Sequence, residues 1–223
     1  MVAILTSAWI AFGPTAVLAE RFQVDRTTPA TELDPCASKT GETPGSYEAF
    51  LGALRQFESS GNYRAVNTLN FIGAYQFGEA ALIDLGYVLH DDDAYDNDFS
   101  GGFTGKNGIH SVDDFLENPA VQDQAAQEWM QLMWRYIEVY DLDRHAWREM
   151  GDVTLSPSGM LAATHLLGPG ALREFVELDG TADLRDLYGM PLRTYIVDLG
   201  GYSIPFVPNE PISNSLSKGS PSC

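Results

Sequence analysis

The sequence predicts a mainly α protein, a compact multi-helix domain held between extended polar N- and C-terminal arms. Three observations predict it. Apolar residues recur at three- and four-residue spacing in several segments between residues 46 and 202. Ser, Asn-Pro and Gly bracket those segments as helix caps and stops. No stretch offers several alternating strands joined by hairpin turns. A length of 223 residues, with 44% hydrophobic and 20% charged side chains, suits one folded domain with tails.

The elements follow in chain order. Residues 1–19 (MVAILTSAWIAFGPTAVLA) carry no charged side chain and end with small residues at Val17 and Ala19. They read as a signal peptide, which implies a periplasmic or secreted protein with no stable membrane span after cleavage. Residues 20–45 are rich in Thr, Pro, Asp and Gly and read as a linker or arm. Ser46 caps a helix running to about Glu58, with Phe50, Leu51, Leu54 and Phe57 on one face and Gly61 as its stop. Residues 79–86 form a second, short helix ending at Gly86. Ser111 and Asp114 make a capping box for a third. Asn118-Pro119 opens the longest helix, to about Asp141, with Val121, Ala125, Trp129, Leu132, Tyr136 and Tyr140 along one side. Ser158 starts another, ending at Gly168-Pro169-Gly170, and ALREFVEL and LRDLYG supply two more. Residues 46–202 are the folded domain and 203–223 a Pro/Ser-rich tail.

Charge excludes some partners. Thirteen basic against 31 acidic residues give a net charge of −18. Nucleic acid is excluded, because phosphate binding needs clustered Lys and Arg. Docking on an anionic membrane face is disfavoured for the same reason. The two cysteines, Cys36 and Cys223, both sit in the polar end segments. In an oxidising compartment they could pair; free thiols are the equal alternative. There is no Gly-x-Ser-x-Gly elbow, Walker loop or dinucleotide fingerprint.

Residues 54–78 carry the chemistry. Glu58 ends a helix whose other face is apolar. The negative end of the helix dipole and neighbours such as Phe57 both disfavour the carboxylate and raise its pKa, as a general acid near neutral pH requires. Ser59 and Tyr63 belong to a turn whose hydroxyls and amides suit a polar substrate. Gly73-Ala74-Tyr75-Gln76-Phe77-Gly78 sets a Gln and two aromatics between glycines: Gln76 to hydrogen-bond an amide or hydroxyl, and Tyr75 or Phe77 to stack on a sugar face. An ordinary surface Glu, core aromatics and a rim histidine are the plainer readings of the same side chains.

Taken together, these residues resemble the lytic transglycosylases of the lysozyme-like superfamily. In the usual soluble members three elements read E-S, G-L-M-Q and A-Y-N-A-G-P-G. Here they read Glu58-Ser59, Gly73-Ala74-Tyr75-Gln76, and Ala163-Thr164-His165-Leu166-Leu167-Gly168-Pro169-Gly170. Anchoring on Gly-Pro-Gly puts His165 where the family has its active-site Tyr. The chain is also similar to a phage and secreted branch with a Thr-Gly-Lys-x-Gly-Ile segment (Thr104 to Ile109) before a DFL helix. The resemblance covers about residues 46–178 and implies a lysozyme-like domain. It also implies cleavage of the MurNAc-β-1,4-GlcNAc bond of peptidoglycan, with Glu58 as sole acid and base, 1,6-anhydro ends as product, and no cofactor. Ser59, Tyr63, Gly73, Tyr75, Gln76, Phe77 and His165 would contact the glycan strand. A hydrolytic muramidase, with a second carboxylate at Glu79 or among Asp91–Asp98, and a non-catalytic wall-binding module are the alternatives.

The run from His90 to Asp98 is strongly acidic. Asp96-x-Asp98-x-Ser100-Gly101 matches the first half of a calcium loop, but its twelfth position is Asn107 where a bidentate Glu is required. It reads as a solvated acidic loop, and no metal is expected.

Overall fold

In the computed structural model, residues 45–207 are described. The signal segment, nearly all of the N-terminal arm, Cys36, Cys223 and residues 208–223 lie outside them. The described part is mainly α, with six α-helices and one two-stranded antiparallel ribbon.

Helix α1 spans Tyr47–Ser59. The Ser46 hydroxyl accepts from Ala49 N at 3.1 Å, supplying the partner that a first-turn amide lacks within the helix. Phe50, Leu51 and Leu54 are buried. The stop comes one residue before the expected Gly61. Ser60 takes the left-handed conformation (φ 56°), and the amides of Ser60 and Gly61 fold back onto Gln56 O and Arg55 O. Helix α2 is Glu79–Asp84, and α3 is Val112–Leu116. Ser111 Oγ accepts from Asp114 N as expected, but the Asp114 carboxylate reaches back to His110 N, one residue beyond the cap.

Helix α4, Pro119–Val139, shows a rotated face. Its buried residues include Gln122, Ala126, Met130, Met133, Trp134 and Ile137, beside the expected Ala125 and Trp129. Tyr136 and Tyr140 are exposed. The two methionines and Trp134 widen the apolar stripe to one side, and the tyrosines fall off its edge. Strands β1 (Glu149–Met150) and β2 (Val153–Thr154) form the ribbon.

Helix α5 runs from Pro157 to Glu177 and is broken at Gly168, which adopts φ 77°. A proline at 169 has no amide to donate and crowds the preceding turn, so the chain kinks there and the two expected helices are consecutive arms of one element. The cap is Ser156, not Ser158: Ser156 Oγ accepts from Gly159 N and Gly201 N, while Ser158 Oγ accepts from Tyr202 N. Residues 184–189 are not helical, contrary to the pattern of LRDLYG. Asp186 Oδ1 accepts from Tyr188 N and Met190 N, and this side-chain turn wins over a helix. Helix α6, Leu192–Asp198, follows instead and buries Leu192, Tyr195 and Ile196. It lies so close to α5 that a Cβ on Gly159 would come within 2.5 Å of Ile196 O.

The folded part extends past residue 202. Ile204 and Val207 are buried, and Phe206 packs edge-on against Tyr47 at 5.6 Å. Among the described residues no helix is long and apolar enough to cross a membrane.

Candidate active site

Three elements converge on Glu58. The penultimate residue of α1 holds its carboxyl where the side chain is 11% exposed. Helix α6 supplies Tyr195, whose hydroxyl donates to Glu58 Oε1 at 2.8 Å. Phe57 meets the Tyr195 ring edge-on at 4.8 Å and fixes it. Helix α5 supplies His165, whose Nε2 lies 3.5 Å from the same Oε1.

The protonation of His165 follows from its neighbours. Trp129 Nε1, from α4, can only donate, and it lies 3.1 Å from His165 Nδ1. Nδ1 is therefore unprotonated. Nε2 carries the hydrogen and donates to the Tyr75 carbonyl at 3.0 Å. Burial lowers the His165 pKa to about 4, so the ring is neutral near pH 7. Its approach to Glu58 is thus a dipole against a carboxyl, not an ion pair.

Burial raises the Glu58 pKa to about 7. The Tyr195 hydrogen bond works against the shift and the charge of Asp186 works with it. Burial and the Glu58 carboxyl hold the Tyr195 phenol far above its ordinary range, so it remains a donor. The Tyr195 hydroxyl addresses Oε1, while the one N–H of His165 is given to the Tyr75 carbonyl. Oε2 is then the oxygen left to bear the Glu58 proton.

The Gly73–Gly78 turn forms the wall behind this carboxyl. Ser59 Oγ donates to Ala74 O at 2.9 Å, tying the end of α1 to the turn. Gly73 (φ 79°) has no room for a side chain, because a Cβ would lie 2.3 Å from Gln122 Oε1. Gln122, fully buried in α4, accepts from Ala74 N and donates to Tyr63 O and Phe115 O. It is the internal clamp of the turn. Gln76 sits at φ 50°, and its Nε2 donates to Gly73 O.

Two expected substrate contacts are corrected. The rings of Tyr75 and Phe77 are 0% and 1% exposed, so neither presents a face to a sugar. Phe77 packs against Phe115, Trp129 and His165. The Tyr75 hydroxyl accepts from Arg55 and donates to Asp123 at 2.7 Å. Tyr75 serves the site through its carbonyl, which orients His165. Tyr63 also donates to Asp123, and its other side lines an open groove of ≈ 530 Å³ with Gly61, Asn62, Arg64 and Glu117.

Sequence reasoning missed Tyr195, Trp129 as the partner of His165, Gln122, and the Arg55–Asp123 pair. A signal for Tyr195 was present: Leu192, Tyr195, Ile196 and Leu199 follow Pro191 at helical spacing. Nothing local marks Gln122 or Asp123 as a partner of residues some 50 positions away. The carboxylates suggested for a hydrolytic site, Glu79 and Asp91–Asp98, are not among the charges acting on Glu58; Asp186 is. Comparisons with protein-family models, curated proteins and solved structures return no match.

Proposed function

We propose that the protein is a peptidoglycan lytic transglycosylase on a lysozyme-like domain, working with Glu58 alone as acid and base. One observation carries the reading: a buried carboxyl whose pKa is raised to about 7, with Oε1 held by the Tyr195 hydroxyl and Oε2 left to bear the proton. That is the state a general acid needs before bond cleavage.

The proposed steps balance on this one group. Glu58 Oε2–H gives its proton to the glycosidic oxygen as the C1–O bond of the MurNAc residue breaks. The resulting carboxylate is stabilised by the Tyr195 hydroxyl, already donated to Oε1. It then takes the proton of the MurNAc 6-hydroxyl as O6 bonds to C1. The ring closes to the 1,6-anhydro sugar, and Glu58 is an acid again. No water and no second carboxylate are consumed. His165 stands where the resembled family has Tyr; its one N–H goes to the Tyr75 carbonyl, so it flanks Glu58 as a neutral ring. Groove residues Tyr63, Asn62 and Arg64 are the proposed glycan contacts, with Ser59 and Gly73 shaping the wall.

A hydrolytic muramidase is the second reading, and the nearby charge of Asp186 is what favours it. Product analysis separates the two. Purified sacculi are digested and the muropeptides analysed by mass spectrometry. Anhydro ends, one water lighter than reducing ends, are expected. Reducing ends lost in Asp186→Asn would establish the hydrolase. Undiminished turnover by Glu58→Gln would remove Glu58 from either mechanism.

A further inference from the structure

The acidic segment after α2 does not simply face solvent. Asp91, Asp92, Asp93, Asp96, Asp98 and Ser100 line one cleft of ≈ 380 Å³. A carboxyl from outside the segment lies against two of its aspartates. Glu79, the first residue of α2, is fully buried. Its Oε2 accepts from Phe99 N at 3.0 Å. Its Oε1 is buried with no N–H or hydroxyl to accept from, and the side chain it faces is the Asp91 carboxyl. Oxygens of Glu79, Asp91 and Asp98 lie within 4.8 Å of one another.

This arrangement is costly as a set of bare anions. None of the ion pairs among the described residues includes Glu79, Asp91 or Asp98. Burying an unpaired carboxylate beside two others costs several kcal/mol in the absence of a compensating charge. Asp91 accepts from Ser100 Oγ and Gly101 N, which leaves its carboxylate turned to Glu79 without a cation of its own. Either a shared proton or a cation resolves the contact.

The geometry points to a divalent-cation site, with calcium as its ion, formed by Glu79, Asp91 and Asp98. Two ligands of a common ion at about 2.4 Å can stand no more than about 4.8 Å apart, and the three carboxylates meet that limit. All donors are hard oxygens, and no His or Cys belongs to the cluster, which disfavours zinc and copper. The ligands come from a helix start and two points of an irregular loop. Calcium tolerates such a shell and completes it with water, whereas magnesium demands a near-ideal octahedron. Glu79 also supplies what the sequence lacked. The Asp96-x-Asp98-x-Ser100 half-loop has Asn107 where a Glu belongs, and the buried Glu arrives from upstream instead.

The bound ion would brace the substrate turn. Glu79 directly follows Gly78, and Asn97 already bridges the two parts by accepting from Glu79 N and donating to Leu69 O. The test uses the full mature chain, stripped with chelator and titrated calorimetrically with calcium chloride, and separately with magnesium chloride. One saturable calcium site per chain below about 1 mM is expected, with a rise in Tm on saturation and much weaker magnesium binding. Asp98→Asn and Glu79→Gln should each weaken calcium binding at least ~10-fold. Asp98→Asn keeps the test decisive if Glu79→Gln fails to fold. Absence of saturable calcium binding, or binding indifferent to Asp98→Asn, overturns the proposal in favour of a proton shared between Glu79 and Asp91.

Discussion

Glu58 and Glu79 are both inward-facing glutamates, one on each side of the Gly73–Gly78 turn. Burial is the first cause of a raised pKa at both. Their surroundings then part. Glu58 meets neutral groups, a phenol that donates to it and an imidazole kept neutral by burial, with one carboxylate acting from farther off. Glu79 meets one backbone amide and two other carboxylates. A buried carboxyl among neutral donors can hold a proton, release it and recover it, because both charge states are tolerated. A buried carboxyl among anions has no tolerable charged state without a cation. Desolvation alone therefore does not identify a catalytic acid; the sign and mobility of what surrounds the carboxyl decide.

The sharpest way to break this contrast is activity. Glu58→Gln should lower turnover on sacculi by on the order of 10²–10⁴-fold while leaving calcium titration unchanged. Loss of calcium binding in that variant would show that the two pockets are one unit.

Stability against pH comes next. The folded Glu58 pKa, about 7, lies above the ordinary value of 4.5. Between these pH values the native state binds more protons than the unfolded chain, so the contribution is full below pH 4.5 and is lost as pH rises through about 7. Denaturant unfolding should show the wild type losing on the order of 1–3 kcal/mol relative to Glu58→Gln between pH 5 and pH 8. Parallel pH curves for the two proteins would mean that Glu58 is not desolvated in solution.

Tyr195→Phe sharpens the role of the donors. Its hydroxyl lowers the Glu58 pKa, so removal should shift the alkaline limb of kcat/KM to higher pH. It should also cost about tenfold in rate, because the carboxylate intermediate loses a charge-assisted bond. A limb moving to lower pH would assign Tyr195 a purely packing role.

The smallest effect concerns salt. Peptidoglycan, the proposed substrate, carries carboxylates and the protein a net charge of −18, so moderate ionic strength should raise activity by screening their repulsion. A steep fall with salt would indicate a cationic groove instead, with Arg64 as its source.

Much of the frame was legible. Ser46 and Ser111 mark helix starts correctly because each hydroxyl accepts from an amide three residues on, and Asn118-Pro119 marks a third through the proline at the first helical position, which needs no amide partner. The same locality misled at Ser158, where Ser156 takes the cap and Ser158 serves a loop more than forty residues away. It misled again at LRDLYG, whose periodicity lost to the Asp186 turn. In α4 the apolar stripe was drawn through Tyr136 and Tyr140, whereas tertiary packing chose Met133 and Ile137.

From the chain alone came a mainly α domain, the position of Glu58 at a helix end, and the glycine turn behind it, all consequences of short-range periodicity and capping. Only the folded structure decided that Tyr195, 137 residues away, holds that carboxyl, that His165 is neutral, that Tyr75 works through its carbonyl rather than its ring, and that Glu79 faces the acidic loop. The physical reason is that charge state depends on which groups exclude water from a side chain, and those groups are brought together by long-range packing, which spacing along the sequence does not encode.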